Sequence, residues 1–103
     1  MQHKFKAISC TVDNLKFPSK AERKRYLELL SLKRAGEILE FLMGVPFHFK
    51  CGTKYVTDFM IFWSDGNVTI EDVKGVITPG YKLKRRLMAE QYPLFPIVEI
   101  TYK

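Results

Sequence analysis

Two strand-like runs separated by Ser64-Asp65-Gly66 constrain this chain more than any other feature. Tyr55–Trp63 and Asn67–Lys74 are rich in aromatic and β-branched residues, so each reads as a strand and the break between them as a hairpin turn. Loop length sets which side chains meet, because a slip of one residue turns every side chain to the other face. A two-residue turn at Asp65-Gly66 would pair Ser64 with Asn67 and put Asp58 opposite Val73. A three-residue loop is commonly a type I turn closed by a left-handed residue, and Gly66 stands where that residue is needed. This register pairs Trp63 with Asn67 and Asp58 with Asp72. One face then reads Phe62/Val68, Met60/Ile70, Asp58/Asp72, Val56/Lys74. Glu71 points to the opposite face with Thr57 and Thr69, where its replacement by alanine is expected to be close to neutral.

The flanking segments supply the rest of an α/β domain. A possible short strand lies around Ala7–Val12, and the irregular first segment ends at Phe17-Pro18. Ser19-Lys20-Ala21-Glu22 has the form of a capping box, and the helix it opens runs to about Ala35, with Gly36 as its stop. Tyr26, Leu29 and Leu30 share one face of that helix, with Leu32 at its edge. Glu22 lies near the middle of this apolar arc, an anomalous place for a carboxylate. Ile38–Met43 reads as a strand broken at Gly44-Val45-Pro46, and Phe47–Cys51 continues as extended chain. Lys82–Gln91 reads as a second helix with Leu83, Leu87 and Met88 as its stripe. Pro96–Tyr102 reads as a last strand. The strand–helix–strand passage near the end implies some parallel pairing, hence a mixed sheet.

Length and charge narrow the function. The 103 residues suit one domain over 1–103, small enough that dimerisation is unsurprising. A formal net charge of +6 points to a polyanionic partner, most often nucleic acid, although a solvated basic surface has the same charge. Cys10 and Cys51 form no CxxC pair and have only His48 nearby, which reads against zinc. A reduced, cytoplasmic chain is expected, with no signal peptide, and no run of about 20 apolar residues offers a membrane span.

The paired carboxylates carry the chemistry. Like charges opposite one another on a sheet destabilise it. At about 5 Å and an effective dielectric near 20 the repulsion is roughly 3 kcal/mol, which Lys74 offsets only in part. A divalent cation between Asp58 and Asp72 would offset it fully, and hard oxygen ligands suit magnesium. Glu22 could join as a third oxygen ligand. A surface strand with a salt bridge from Lys74 to either aspartate is the simpler alternative for an isolated D-x-K triplet.

Asp58, followed by Asp72-Val73-Lys74, resembles the PD-(D/E)XK nuclease signature, and the element order resembles that superfamily's restriction-endonuclease-like αβββαβ core. Glu22 resembles the accessory acid of many members. The chain is similar over residues 15 to 100 to a family of small phage and prophage proteins assigned to that superfamily. This similarity lies in Ser19-Lys20-Ala21-Glu22-x-x-Arg25-Tyr26, Gly36-Glu37-Ile38, Tyr55-x-x-Asp58-Phe59, Glu71-Asp72-Val73-Lys74-Gly75 and the spaced Lys82 and Lys84. Thr57 stands where the superfamily name has proline, Gly44-Val45-Pro46 lacks the glutamine of relatives, and Gln91 and Tyr92 are adjacent, unlike the glutamine-x-x-x-tyrosine helix of RecB-like exonucleases.

The resemblance implies magnesium-dependent hydrolysis of DNA phosphodiesters, with manganese as a substitute. Asp58, Asp72, Glu22 and the Val73 carbonyl would hold metal. Lys74 would orient the attacking water or stabilise the transition state. Lys82, Lys84, Arg85 and Arg86 would contact the DNA backbone. It further implies a homodimer acting on branched DNA, in the manner of a phage junction resolvase. A sequence-tolerant nicking or repair nuclease is the alternative, and from another class a non-catalytic basic nucleic-acid-binding module.

Overall fold

The structure, a computed structural model, describes residues 15–102. The strand expected around Ala7–Val12, and Cys10 with it, lies outside the described residues. The first helix, α1, spans Lys20–Arg34. Ser19 is its N-cap, and the Ser19 hydroxyl accepts a hydrogen bond from the Glu22 amide at 3.1 Å. Two strands follow, β1 (Ile38–Met43) and β2 (Pro46–His48). They precede β3 (Lys54–Val56), β4 (Phe59–Trp63) and β5 (Val68–Val73). The second helix, α2, spans Pro79–Gln91, and β6 spans Ile97–Ile100. The fold is mixed α/β. A four-stranded sheet in the order β1-β4-β5-β6 is antiparallel except for the parallel β5–β6 pair, and β2 with β3 forms a separate ribbon. Leaving the ribbon aside, the order of elements is αβββαβ.

The hairpin has the three-residue loop. The Trp63 amide donates to Asn67, the Gly66 amide donates to Trp63, and Gly66 has a φ of +95°. β4 and β5 therefore pair Phe59 with Glu71 and Phe62 with Val68. The long strand expected over Tyr55–Trp63 is divided at Thr57-Asp58. There the Thr57 amide donates to the Val45 carbonyl, and the Val45 amide donates back to the Thr57 hydroxyl. Gly44, with a φ of +65°, bends the opposing chain at the same level. The ribbon thus leaves the sheet plane, and Val56 pairs with Pro46 rather than with Lys74.

Each face of the sheet has its own core. Phe59 and Ile61 are fully buried under α1 with Tyr26, Leu29, Ile38 and Phe41. On the other face Ile70 packs with Tyr81 and Met88 of α2 and with Phe47, Phe49 and Tyr55 from the ribbon. Full burial of each such side chain contributes about 2 kcal/mol. α2 begins earlier than its periodicity suggests, because Thr78 caps it and Pro79 fits its first turn. Tyr81, not Leu83, is consequently the buried residue of its first turn, and Leu83 is exposed.

Glu71 departs from its expected role. It does face α1, but it is 2% exposed and accepts two hydrogen bonds from Arg25, each 2.7 Å. Arg25 in turn donates to Glu28 at 3.0 Å, and the Tyr102 hydroxyl donates to the same Glu28 oxygen at 2.7 Å. This cluster ties α1 to β5 and to the end of the chain. Removing one member of a buried, hydrogen-bonded ion pair leaves the other charge without compensation. Glu71→Ala is therefore expected to lower unfolding stability by about 3 kcal/mol, read as a lower midpoint in urea denaturation, instead of being neutral. A midpoint equal to that of the wild type would show that the pair contributes nothing.

Candidate functional site

Asp58 lies one residue before β4, where the ribbon turns away. Its Oδ2 accepts a hydrogen bond from the Val73 amide at 2.7 Å. This contact carries the hairpin register one step past the last paired residues and brings Asp58 beside the end of β5. Asp72 is 5% exposed, and both of its oxygens have partners. Lys74 Nζ lies 3.1 Å from Oδ1, and the Tyr55 hydroxyl donates to Oδ2 at 2.5 Å. The Lys74 ammonium also stands 3.8 Å from the centre of the Tyr81 ring, a favourable position over an aromatic face. The Tyr81 hydroxyl donates to Glu99 at 2.8 Å, and Arg85 pairs with the same Glu99 oxygen at 2.6 Å.

The carboxylates feel one another. Burial pushes the pKa of Glu22 from 4.5 up to about 7, with repulsion from Asp58 and then Asp72 adding to the effect. Burial also raises Asp58. The Val73 amide opposes that shift, Asp72 adds to it, and Lys74 again opposes it. Burial and the hydrogen bond to Asp72 hold the Tyr55 hydroxyl protonated, so it acts as a donor. Asp58 and Asp72 thus lie beside one another at one end of the sheet, and Glu22 of α1 lines a cleft with Asp58. That donor set is hard and anionic, and it suits a divalent cation such as magnesium. Among the described residues no group of three His, Cys, Asp or Glu side chains is arranged so that it could hold a metal ion. Lys74 and Tyr55 pair with the two oxygens of Asp72, and the Val73 amide with one oxygen of Asp58.

Asp58 stands where two clefts meet. The first, of about 800 Å³, is lined by Tyr55, Asp58, Asp72, Lys74 and Tyr81, with Lys54 and Lys84 also on its walls. The second, of about 730 Å³, is lined by Lys16, Glu22 and Asp58 and by the apolar Phe41, Leu42, Met43 and Val56.

The structure therefore brings Asp58, Asp72 and Lys74 together, with Glu22 in the adjoining cleft. Val73 meets them through its amide. The four cations of α2 divide. Lys84 lines the first cleft, while Lys82 and Arg86 are exposed. Arg85 is exposed and pairs with Glu99, because β6 runs parallel beside β5 and brings that carboxylate under α2. Tyr55, Tyr81 and Glu99 were not anticipated. Tyr55 stands in the Tyr55-x-x-Asp58 motif, but nothing in that spacing reveals a contact with Asp72. Tyr81 was placed ahead of the helix, and Glu99 belongs to a strand whose neighbour the sequence does not name.

The family described as "Protein of unknown function (DUF1064)" matches residues 2–101. The chain belongs to this DUF1064 family. No curated protein matches it. The family description names no activity.

A carboxyl group whose folded pKa is raised disfavours the charged native form. With Glu22 raised from 4.5 to about 7, native protein retains a proton across that interval that unfolded chain has lost. Its contribution to stability is therefore present below 4.5 and is lost as the pH rises to about 7. In chelator-treated protein, urea denaturation should show this decline, and Glu22→Gln should flatten it. An identical pH dependence in the variant would mean that Glu22 stands clear of the other acids.

Proposed function

We propose that this chain is a magnesium-dependent DNA endonuclease of the PD-(D/E)XK type. The observation that carries the reading is the meeting of Asp58 and Asp72 beside Lys74 in a lysine-lined cleft, with Glu22 in the adjoining cleft that Asp58 also lines. Asp58, Asp72, Glu22 and the Val73 carbonyl are the groups that would hold the metal, with manganese as a substitute. A bound divalent ion supplies an acidified water and counter-charge for the phosphate.

The chain's own residues do the rest. Lys74 is held between Asp72 and the Tyr81 ring, so its charge is fixed toward the cleft with little left to reorganise, and it stabilises negative charge developing on a phosphate there. Tyr55 orients Asp72 through its hydroxyl. Lys84 and Lys54 draw the DNA backbone into the cleft, and Lys82 and Arg86 extend the basic surface along α2. Arg85, 45% exposed beside Glu99, belongs to the same surface. In this reading the protein works in the cytoplasm, as a homodimer, on DNA that includes branched forms. Among the described residues no helix is long and apolar enough to cross a membrane.

One observation favours a second reading, a basic nucleic-acid-binding module without catalysis. Both Asp72 oxygens are satisfied by Tyr55 and Lys74, an arrangement that holds without any cation. Incubation of supercoiled plasmid with chelator or with magnesium separates the two. The nuclease nicks or linearises the plasmid only with magnesium. Asp72→Asn abolishes cleavage, and Lys74→Ala lowers its rate by at least about 100-fold, as expected for a group acting on developing charge. Retarded but uncut plasmid under both conditions would favour the binding module.

The DNA path has its own check. Reversing Lys82 and Lys84 to glutamate should weaken binding and flatten its dependence on salt by up to about one unit of slope per lost phosphate contact. Unchanged binding across a salt series would place the DNA elsewhere.

A further inference from the structure

The two clefts that meet at Asp58 differ in chemistry. Lys54, Lys74 and Lys84 line the first. Leu42, Met43 and Val56 form the shelf of the second, and they are 45%, 39% and 47% exposed. Val56 and Asp58 belong to both. A ligand passing over Asp58 therefore meets several lysines on one side and, on the other, a mostly apolar surface whose charged members are Lys16 and Glu22. A nucleic-acid strand has this division, with anionic phosphates along one edge and flat, poorly hydrated bases along the other. Bases in a paired duplex bury their faces against one another and cannot reach such a shelf. An unpaired or extruded base can, and apolar side chains such as Leu and Met are the ones that proteins lay against unstacked bases.

We propose that Leu42, Met43 and Val56 hold an unstacked nucleobase beside the acid pair, so that the preferred substrate is DNA with an unpaired or extruded nucleotide. The identity of the ligand as DNA rests on the nuclease reading. The shelf itself rests on the exposed side chains and on their continuity with Asp58. A second copy of this chain is a poor occupant. Seated there it would close over Asp58 and the adjoining lysine-lined cleft, so the homodimer of the nuclease reading would join through another face. The room suffices for a base, since about 730 Å³ lies within the range of small-molecule sites.

The test uses the full chain in chelator, so that binding is read without cleavage. Fluorescence anisotropy compares a fully paired duplex with the same duplex carrying one bulged 2-aminopurine, and the emission of that base reports its stacking. Wild-type protein should bind the bulged duplex about tenfold more tightly and change the emission of the base. Met43→Gln combined with Val56→Thr keeps size and charge on exposed positions and should leave folding intact. It should abolish the preference while retaining affinity for paired duplex. Equal affinity for both duplexes, or a preference that survives the double variant, would overturn the proposal. So would a doubled mass in sedimentation that the double variant loses, because the shelf would then bind a second copy. A bulge preference lost in the variant, together with absence of magnesium-dependent cleavage, would sustain the shelf and remove the nuclease reading. Cleavage without any preference would do the opposite.

Discussion

The hydrogen bond from the Val73 amide to Asp58 is the contact on which the site depends. At Thr57-Asp58 the chain leaves the sheet, and the regular ladder ends at Phe59 and Glu71. A buried amide without a partner is unfavourable, and the Asp58 carboxylate takes the place of the missing strand. The substitution has two effects. It closes the end of β5, and it turns a carboxylate inward beside Asp72, where a regular continuation of the sheet would have brought Val56 opposite Lys74. The bend is backed by Gly44 and by reciprocal hydrogen bonds between Val45 and Thr57, so the position of Asp58 is held from both sides.

Because successive residues of a strand face opposite ways, β5 serves two layers at once. Glu71 points into the α1 layer and is neutralised by Arg25. Asp72 points into the α2 layer, where Lys74 and Tyr55 balance it. Adjacent acids in the sequence thus have unrelated duties, one binding two layers together and one lining a cleft. Glu22 belongs to α1, yet it lines a cleft with Asp58, which stands at the open end of the sheet. The same opening gives the site its two unlike walls, one of lysines from the ribbon and α2, the other of apolar residues from β1 and β3.

Much of this arrangement can be read from local chemistry. Gly66 adopts the left-handed conformation that a three-residue loop needs, and the hairpin register that brings Asp58 to Asp72 follows from it. Ser19 starts the first helix, and the order of helices and strands follows from hydrophobic period and turn residues. These are interactions between neighbours in the chain, and the sequence by itself determined them. Contacts between distant segments were not legible. Arg25 is 46 positions from Glu71, and Arg85 is 14 from Glu99. Those pairings depend on how helices lie across the sheet and on which strand becomes its edge, and no residue pattern along one segment encodes either. Tertiary structure alone decided that Glu71 is buried in an ion pair, that Arg85 pairs with Glu99, and that Tyr55 caps Asp72. A buried charge takes its partner from whatever the packed layers bring within reach.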